Sequence, residues 1–131
     1  SGAIILSNDG EFIYKITHPK YEVEKTYNVT LKGQITDEEV EKLKNGVQIE
    51  DYITGKAKVK ILRIDKEKSL SRVEIIIHEG KNREVRKMCE AIGRKVLALH
   101  RTKIGNISVK DLRLGTWRYL KPNEIKSLLD I

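Results

Sequence analysis

A strand-like run, Val73-Glu74-Ile75-Ile76-Ile77, is followed almost at once by a stretch with helical periodicity, and this pair constrains the fold more than any other feature. Residues Glu79 to Gly93 read E-G-K-N-R-E-V-R-K-M-C-E-A-I-G. Val85, Met88, Cys89 and Ile92 recur at the i, i+3, i+4, i+7 spacing of one buried helical face, and Gly93 stands where a left-handed residue ends a helix. The apolar stripe is what anchors this helix. Arg83, Arg86 and Lys87 fall three and four residues apart on a neighbouring face, so a helix fixed by its apolar stripe presents two guanidiniums and an ammonium together. That arrangement outlines an anion site, set against the plainer reading of a solvated basic face.

The rest of the chain supplies the sheet. Ala3-Ile4-Ile5-Leu6 predicts a buried strand at the point of entry. Asn8-Asp9-Gly10 offers a cap, and Phe12, Ile13 and Ile16 predict a short helix stopped by His18-Pro19. Thr26 to Lys32 alternates at period two with Tyr27, Val29 and Leu31 on one face, a half-buried strand. Thr36-Asp37-Glu38-Glu39 is a capping box for a helix that buries Val40 and Leu43 and ends at Asn45-Gly46. Ala57 to Ile64 alternates apolar and basic residues, a strand with one wet, positive face. The Asp65–Ser69 turn joins it to Ser71–Ile77 as a hairpin. Val96 to Gly105 predicts a strand with basic residues at alternate positions, Gly115 to Leu120 a last strand, and Pro122 to Glu124 the start of a helix with Ile125, Leu128 and Leu129 inward. Paired strands separated by single helices place the chain in the α+β class, a mainly antiparallel mixed sheet with helices packed on it. The 131 residues suit one domain.

Charge narrows the partners. Twenty-six Lys and Arg against 19 Asp and Glu give a formal net charge of +7, an excess suited to a polyanion such as nucleic acid. No apolar run approaches the roughly 18 residues a membrane span needs. One cysteine, Cys89, falls on the apolar helical face, where it packs as a small hydrophobe. One cysteine and three histidines give no metal-ligand cluster. A cytoplasmic setting without metal is the expectation.

Several motifs together resemble a family. Asn8-Asp9-Gly10, Thr17-His18-Pro19, Glu24-Lys25-Thr26-Tyr27, Glu79 to Met88, Ile104-Gly105 and Leu112 to Gly115 stand in the order and spacing of the Rsu-type ribosomal RNA pseudouridine synthases. The E-G-x-N-R-x-V-R-x-M run with K-T-Y upstream is the specific part. H-P-K-Y-E-V-E-K-T-Y and M-C-E-A-I-G look most like the branch acting on large-subunit ribosomal RNA.

The resemblance implies the pseudouridine synthase fold in part, ribosomal RNA as partner, and isomerisation of a uridine to pseudouridine with no cofactor. A base must leave its stack to be reached, which calls for an aromatic platform and charges that hold the backbone. By that match Tyr27 lies against the target base and Arg86 pairs with the catalytic aspartate, while Arg83 and Lys87 are candidates for phosphate contacts. Arg101 and Lys103 extend the basic surface. The family's aspartate lies a few residues upstream of the stretch matching Ser1 to Gly10, and none of Asp9, Asp37, Asp51, Asp65, Asp111 and Asp130 matches it. The expectation is a C-terminal part of the catalytic domain, lacking that segment and an S4-like domain in front of it, and inactive alone. Two other readings stand beside it: an RNA-binding module without chemistry, and a basic domain that binds protein within a ribonucleoprotein.

Overall fold

The computed structural model describes residues 2–18, 23–50, 52–78, 83–109, 112–113 and 115–129. In chain order the elements are α1 (Gly10–Thr17), β1 (Lys25–Lys32), α2 (Asp37–Asn45), β2 (Gln48–Ile49), β3 (Tyr52–Ile53), β4 (Lys58–Asp65), β5 (Leu70–Ile77), α3 (Glu84–Ala91), β6 (Val96–Ile104), β7 (Ile107–Ser108) and α4 (Pro122–Leu129). Five strands form one sheet in the order β4-β5-β1-β6-β7, every neighbouring pair antiparallel, and β2-β3 make a separate ribbon.

Strand parity decides which face is covered. Val29 and Leu31 of β1 pair with Val73 and Ser71 of β5, and Val29 faces Leu99 on β6. All but the half-buried Leu99 are fully enclosed. Val40 and Leu43 of α2 and Val85, Met88 and Cys89 of α3 close over this face, so one core is shared by sheet and two helices. On the opposite face Lys60, Glu74, Asn28 and His100 occupy one row across four strands.

The caps behave as their residue types dictate. Asp9 Oδ1 accepts from the N–H groups of Glu11 and Phe12 at 3.1 and 3.3 Å, starting α1. Thr36 and Glu39 form the reciprocal box that starts α2. After α3, Gly93 takes φ +83°, the left-handed conformation that costs glycine least. A long-range clasp adds to these. Arg94 Nε donates to both Glu39 carboxylate oxygens at 3.1 and 2.9 Å, and Nη2 donates to Glu39 Oε1 at 2.8 Å and to the Gln34 carbonyl at 2.9 Å. The loop after α3 is thereby locked to the start of α2.

Three sequence expectations need correction. The entry run is not a buried strand: Ala3 is buried and Gly2 makes one parallel bridge to Arg101, but Ile4 and Leu6 are 72% and 85% exposed. Residues 115–120 form no strand, because no strand among the described residues pairs with them. In α4 only Leu128 is buried, with Ile125 and Leu129 partly exposed. α3 also begins at Glu84, and the part of the predicted helix over 79–82 lies outside the described residues.

Candidate functional site

Tyr27 sits half-buried on β1, on the same face as Val29 and Leu31, packed at the border of the main core. The register sets it opposite Ile75 on one side and Arg101 on the other. Arg86 lies one position beyond Val85 on α3, half-buried, while Val85, Met88 and Cys89 anchor that helix in the core. Burial pushes the Cys89 thiol up to about 12, so it packs as a neutral hydrophobe.

The other basic residues divide among different tasks. Arg83 is exposed and holds φ +56° at the N-cap of α3 without a side-chain cap bond. Lys87 reaches the exposed Glu50 carboxylate, Nζ to Oε1 2.9 Å, tying α3 to the β2-β3 ribbon. Arg101 and Lys103, two positions apart, do not share a face. The register pairs Arg101 with Tyr27 but Lys103 with Thr26, so Thr102 is an extra residue in β6, a β-bulge. Arg101 therefore joins Tyr27, and exposed Lys103 is directed to the other face.

Two charged groups near Tyr27 were not singled out from sequence. Lys25 is buried on β1, and burial first, then the Arg101 charge, lower its pKa below the ordinary lysine range. Glu84, at the start of α3, is buried too, and its charge acts on Lys25 in the opposite sense. Tyr52 donates its hydroxyl to Glu84 Oε1 at 3.4 Å. Parity was the available signal for Lys25: it is two residues before Tyr27 and four before Val29, on the core-facing side of an alternating strand. Lys25 and Arg101 thus stand beside Tyr27 on one face of the sheet, with the Glu84 charge acting on Lys25.

A family model described as RNA pseudouridylate synthase matches residues 1–91. The chain belongs to that family. It is 44% identical over 128 residues to the ribosomal large subunit pseudouridine synthase B of Bacillus subtilis (strain 168), covering 98% of this chain and 52% of that protein. It is 38% identical over 131 residues to the ribosomal small subunit pseudouridine synthase A of Vibrio vulnificus (strain CMCP6), covering 98% and 54%. Among solved structures, a pseudouridylate synthase superposes with a TM-score of 0.84 at 34% identity, over 93% of this chain and 52% of that one. The chain spans about half the length of the curated relatives it matches. The fold is thus that of a pseudouridine synthase in part, as its motifs imply.

A concavity is bounded in part by Gly2 and Ala3, the stretch that Arg101 contacts. The walls of a cleft of about 430 Å³ include Ile4, Leu6, Val109, Leu112, Trp117 and Tyr119. Trp117 and Tyr119 are 74% and 82% exposed and meet edge to face, ring centres 5.2 Å apart. Arg118 between them is turned aside, its two terminal nitrogens on the Glu124 carboxylate at 2.7 and 2.8 Å. That pairing holds Glu124 down to about 2. Among the described residues no helix is long and apolar enough to cross a membrane.

Proposed function

We propose that this chain is the C-terminal part of the catalytic domain of a ribosomal RNA pseudouridine synthase acting on the large subunit, and that the complete protein isomerises a uridine in that RNA. The observation that carries the reading is the 44% identity, over nearly the whole chain, to a protein named as a large-subunit enzyme. Tyr27 is the platform for the extruded base, and its half-buried position on a rigid central strand supports that role. Arg86 is the partner of the catalytic carboxylate, keeping it ionised and oriented by a charge-assisted pair. The core-anchored helix α3 gives it a fixed origin. Arg83 and Lys87 contact phosphates, Lys87 by exchanging its Glu50 partner for the RNA backbone. The protein acts in the cytoplasm, without metal or cofactor.

The full-length protein is incubated separately with unmodified large-subunit and small-subunit ribosomal RNA, and pseudouridine is mapped in each. Conversion in the large-subunit RNA alone is expected. Conversion only in the small-subunit RNA overturns the substrate assignment, and conversion in neither overturns the reaction.

A further inference from the structure

Arg101, which the sequence places on the RNA-binding basic surface, turns its guanidinium back onto the chain. Its Nε and Nη2 both donate to the Ala3 carbonyl, at 2.9 and 2.6 Å. The main chain closes the same joint: the Ala3 N–H donates to the Arg101 carbonyl at 2.6 Å, and Gly2 bridges Arg101 in the parallel sense. Gly2 holds φ +151°, and a Cβ there would lie 2.6 Å from the Arg101 nitrogen and 3.1 Å from its Cα. The joint therefore accepts no side chain at position 2 without moving β6.

On its other side Arg101 pairs with Tyr27. Gly2–Ala3, Arg101 and Tyr27 thus stand in one rung across three adjacent stretches of backbone. The joint fixes the backbone of Gly2–Ala3, because the carbonyl and N–H of Ala3 and the backbone of Gly2 are all held to one residue. Two guanidinium donors on one carbonyl resist twisting of that peptide in a way a single ammonium does not.

We propose that Arg101 is a positioning residue, holding the Gly2–Ala3 backbone level with Tyr27, the base platform, so that the site keeps its working geometry. The proposal rests on the synthase reading above. It separates Arg101 from the phosphate-binding cations: its contribution lies in the arrangement of the protein, not in the grip on RNA.

The test is made in the full-length protein with Arg101→Ala, Arg101→Lys, Gly2→Ala and the Gly2→Ala/Arg101→Ala pair, measuring kcat and KM on large-subunit ribosomal RNA and the salt dependence of RNA binding. Misplacement by this joint predicts a kcat loss of about tenfold to a hundredfold for Arg101→Ala. KM and the salt slope stay as in the parent. Arg101→Lys recovers part of kcat, Gly2→Ala reproduces the loss, and the pair is no worse than the worse single variant, as expected for two residues of one joint. A raised KM with a shallower salt slope makes Arg101 a phosphate contact and overturns the proposal, as does unchanged kcat. Amide exchange at Ala3 is read in parallel. Where the parent converts no uridine, the reaction reading fails by itself and exchange decides the joint: faster exchange in Arg101→Ala upholds it, and unchanged exchange overturns it.

Discussion

The covered face of the sheet and the far end of β6 begin from similar sequence material and end differently. On the sheet, Val29, Val73, Ile75, Met88 and Cys89 close on one another until no water reaches them. At the other end a smaller cluster of Ala3, Phe12, Ile16, Val23, Ile104, Ile107 and Leu128 forms between α1, α4 and β6-β7. Beside it Ile4, Leu6, Trp117 and Tyr119 remain in solvent. Local apolar pattern states that a face needs cover; it does not state what provides it. The residues proposed for chemistry sit at the border of the well-packed region, where a rigid strand and an anchored helix fix their positions.

The largest losses are expected in the main core. Ile75→Ala or Met88→Ala removes a side chain with no solvent exposure, and a loss of about 2–5 kcal/mol is expected from denaturant unfolding. An effect as small as that of a surface variant contradicts the described packing. Next comes the clasp. Arg94→Ala removes the guanidinium from Glu39 and the Gln34 carbonyl, for an expected loss of about 1–3 kcal/mol. The hydrogen bonds from Arg94 are the main reason the Glu39 carboxyl titrates below its ordinary value. A lowered folded-state pKa contributes stability that is present above the unfolded value and fades as pH falls through the folded one, so the parent loses stability on acidification and Arg94→Ala loses less.

The second region responds to acid in its own window. Glu124 falls from an ordinary 4.5 to about 2 through its pair with Arg118. Its contribution is whole above about 4.5 and is lost as pH falls toward about 2, so Glu124→Gln flattens the stability profile there. An unchanged profile removes that pair from the account. The smallest effect belongs to the exposed aromatics. Trp117→Ser in this chain shifts stability by no more than about 0.5 kcal/mol, as for an ordinary surface site. Trp117 is the chain's one tryptophan, so its emission reports the cleft directly. Emission typical of a solvated indole is expected; a blue-shifted, quencher-resistant spectrum shows the cleft closed.

The sequence was most legible where a period and a cap agreed. β1, β4-β5, α2 and α4 fell where alternation, a turn, a capping box or a leading proline placed them, and α1 began at its Asp9 cap. Misreadings came where strand-forming residues lacked a partner. Ile4-Ile5-Leu6 and Trp117 to Leu120 have β-prone side chains, yet a strand exists only when another strand takes its hydrogen bonds. The contacts that fix the candidate site were out of reach for a different reason. Arg94 and Glu39 are 55 positions apart and Arg101 and Ala3 are 98 apart, so no local spacing announces either pair. The Thr102 bulge, which parts Arg101 from Lys103, leaves no mark in a two-residue repeat. Tyr27 and Arg86 were named from motif resemblance, and the structure describes where each stands.

The proposed role of α3 is to bring Arg86 to the reacting carboxylate of a synthase. Its most direct test is pseudouridine formation on large-subunit ribosomal RNA by the full-length protein and its Arg86→Ala variant, with thermal midpoints measured alongside. Conversion is expected to be abolished while the midpoint stays close to the parent's, because Arg86 lies outside the buried stripe of α3. Conversion by the variant at the parent's rate contradicts that role.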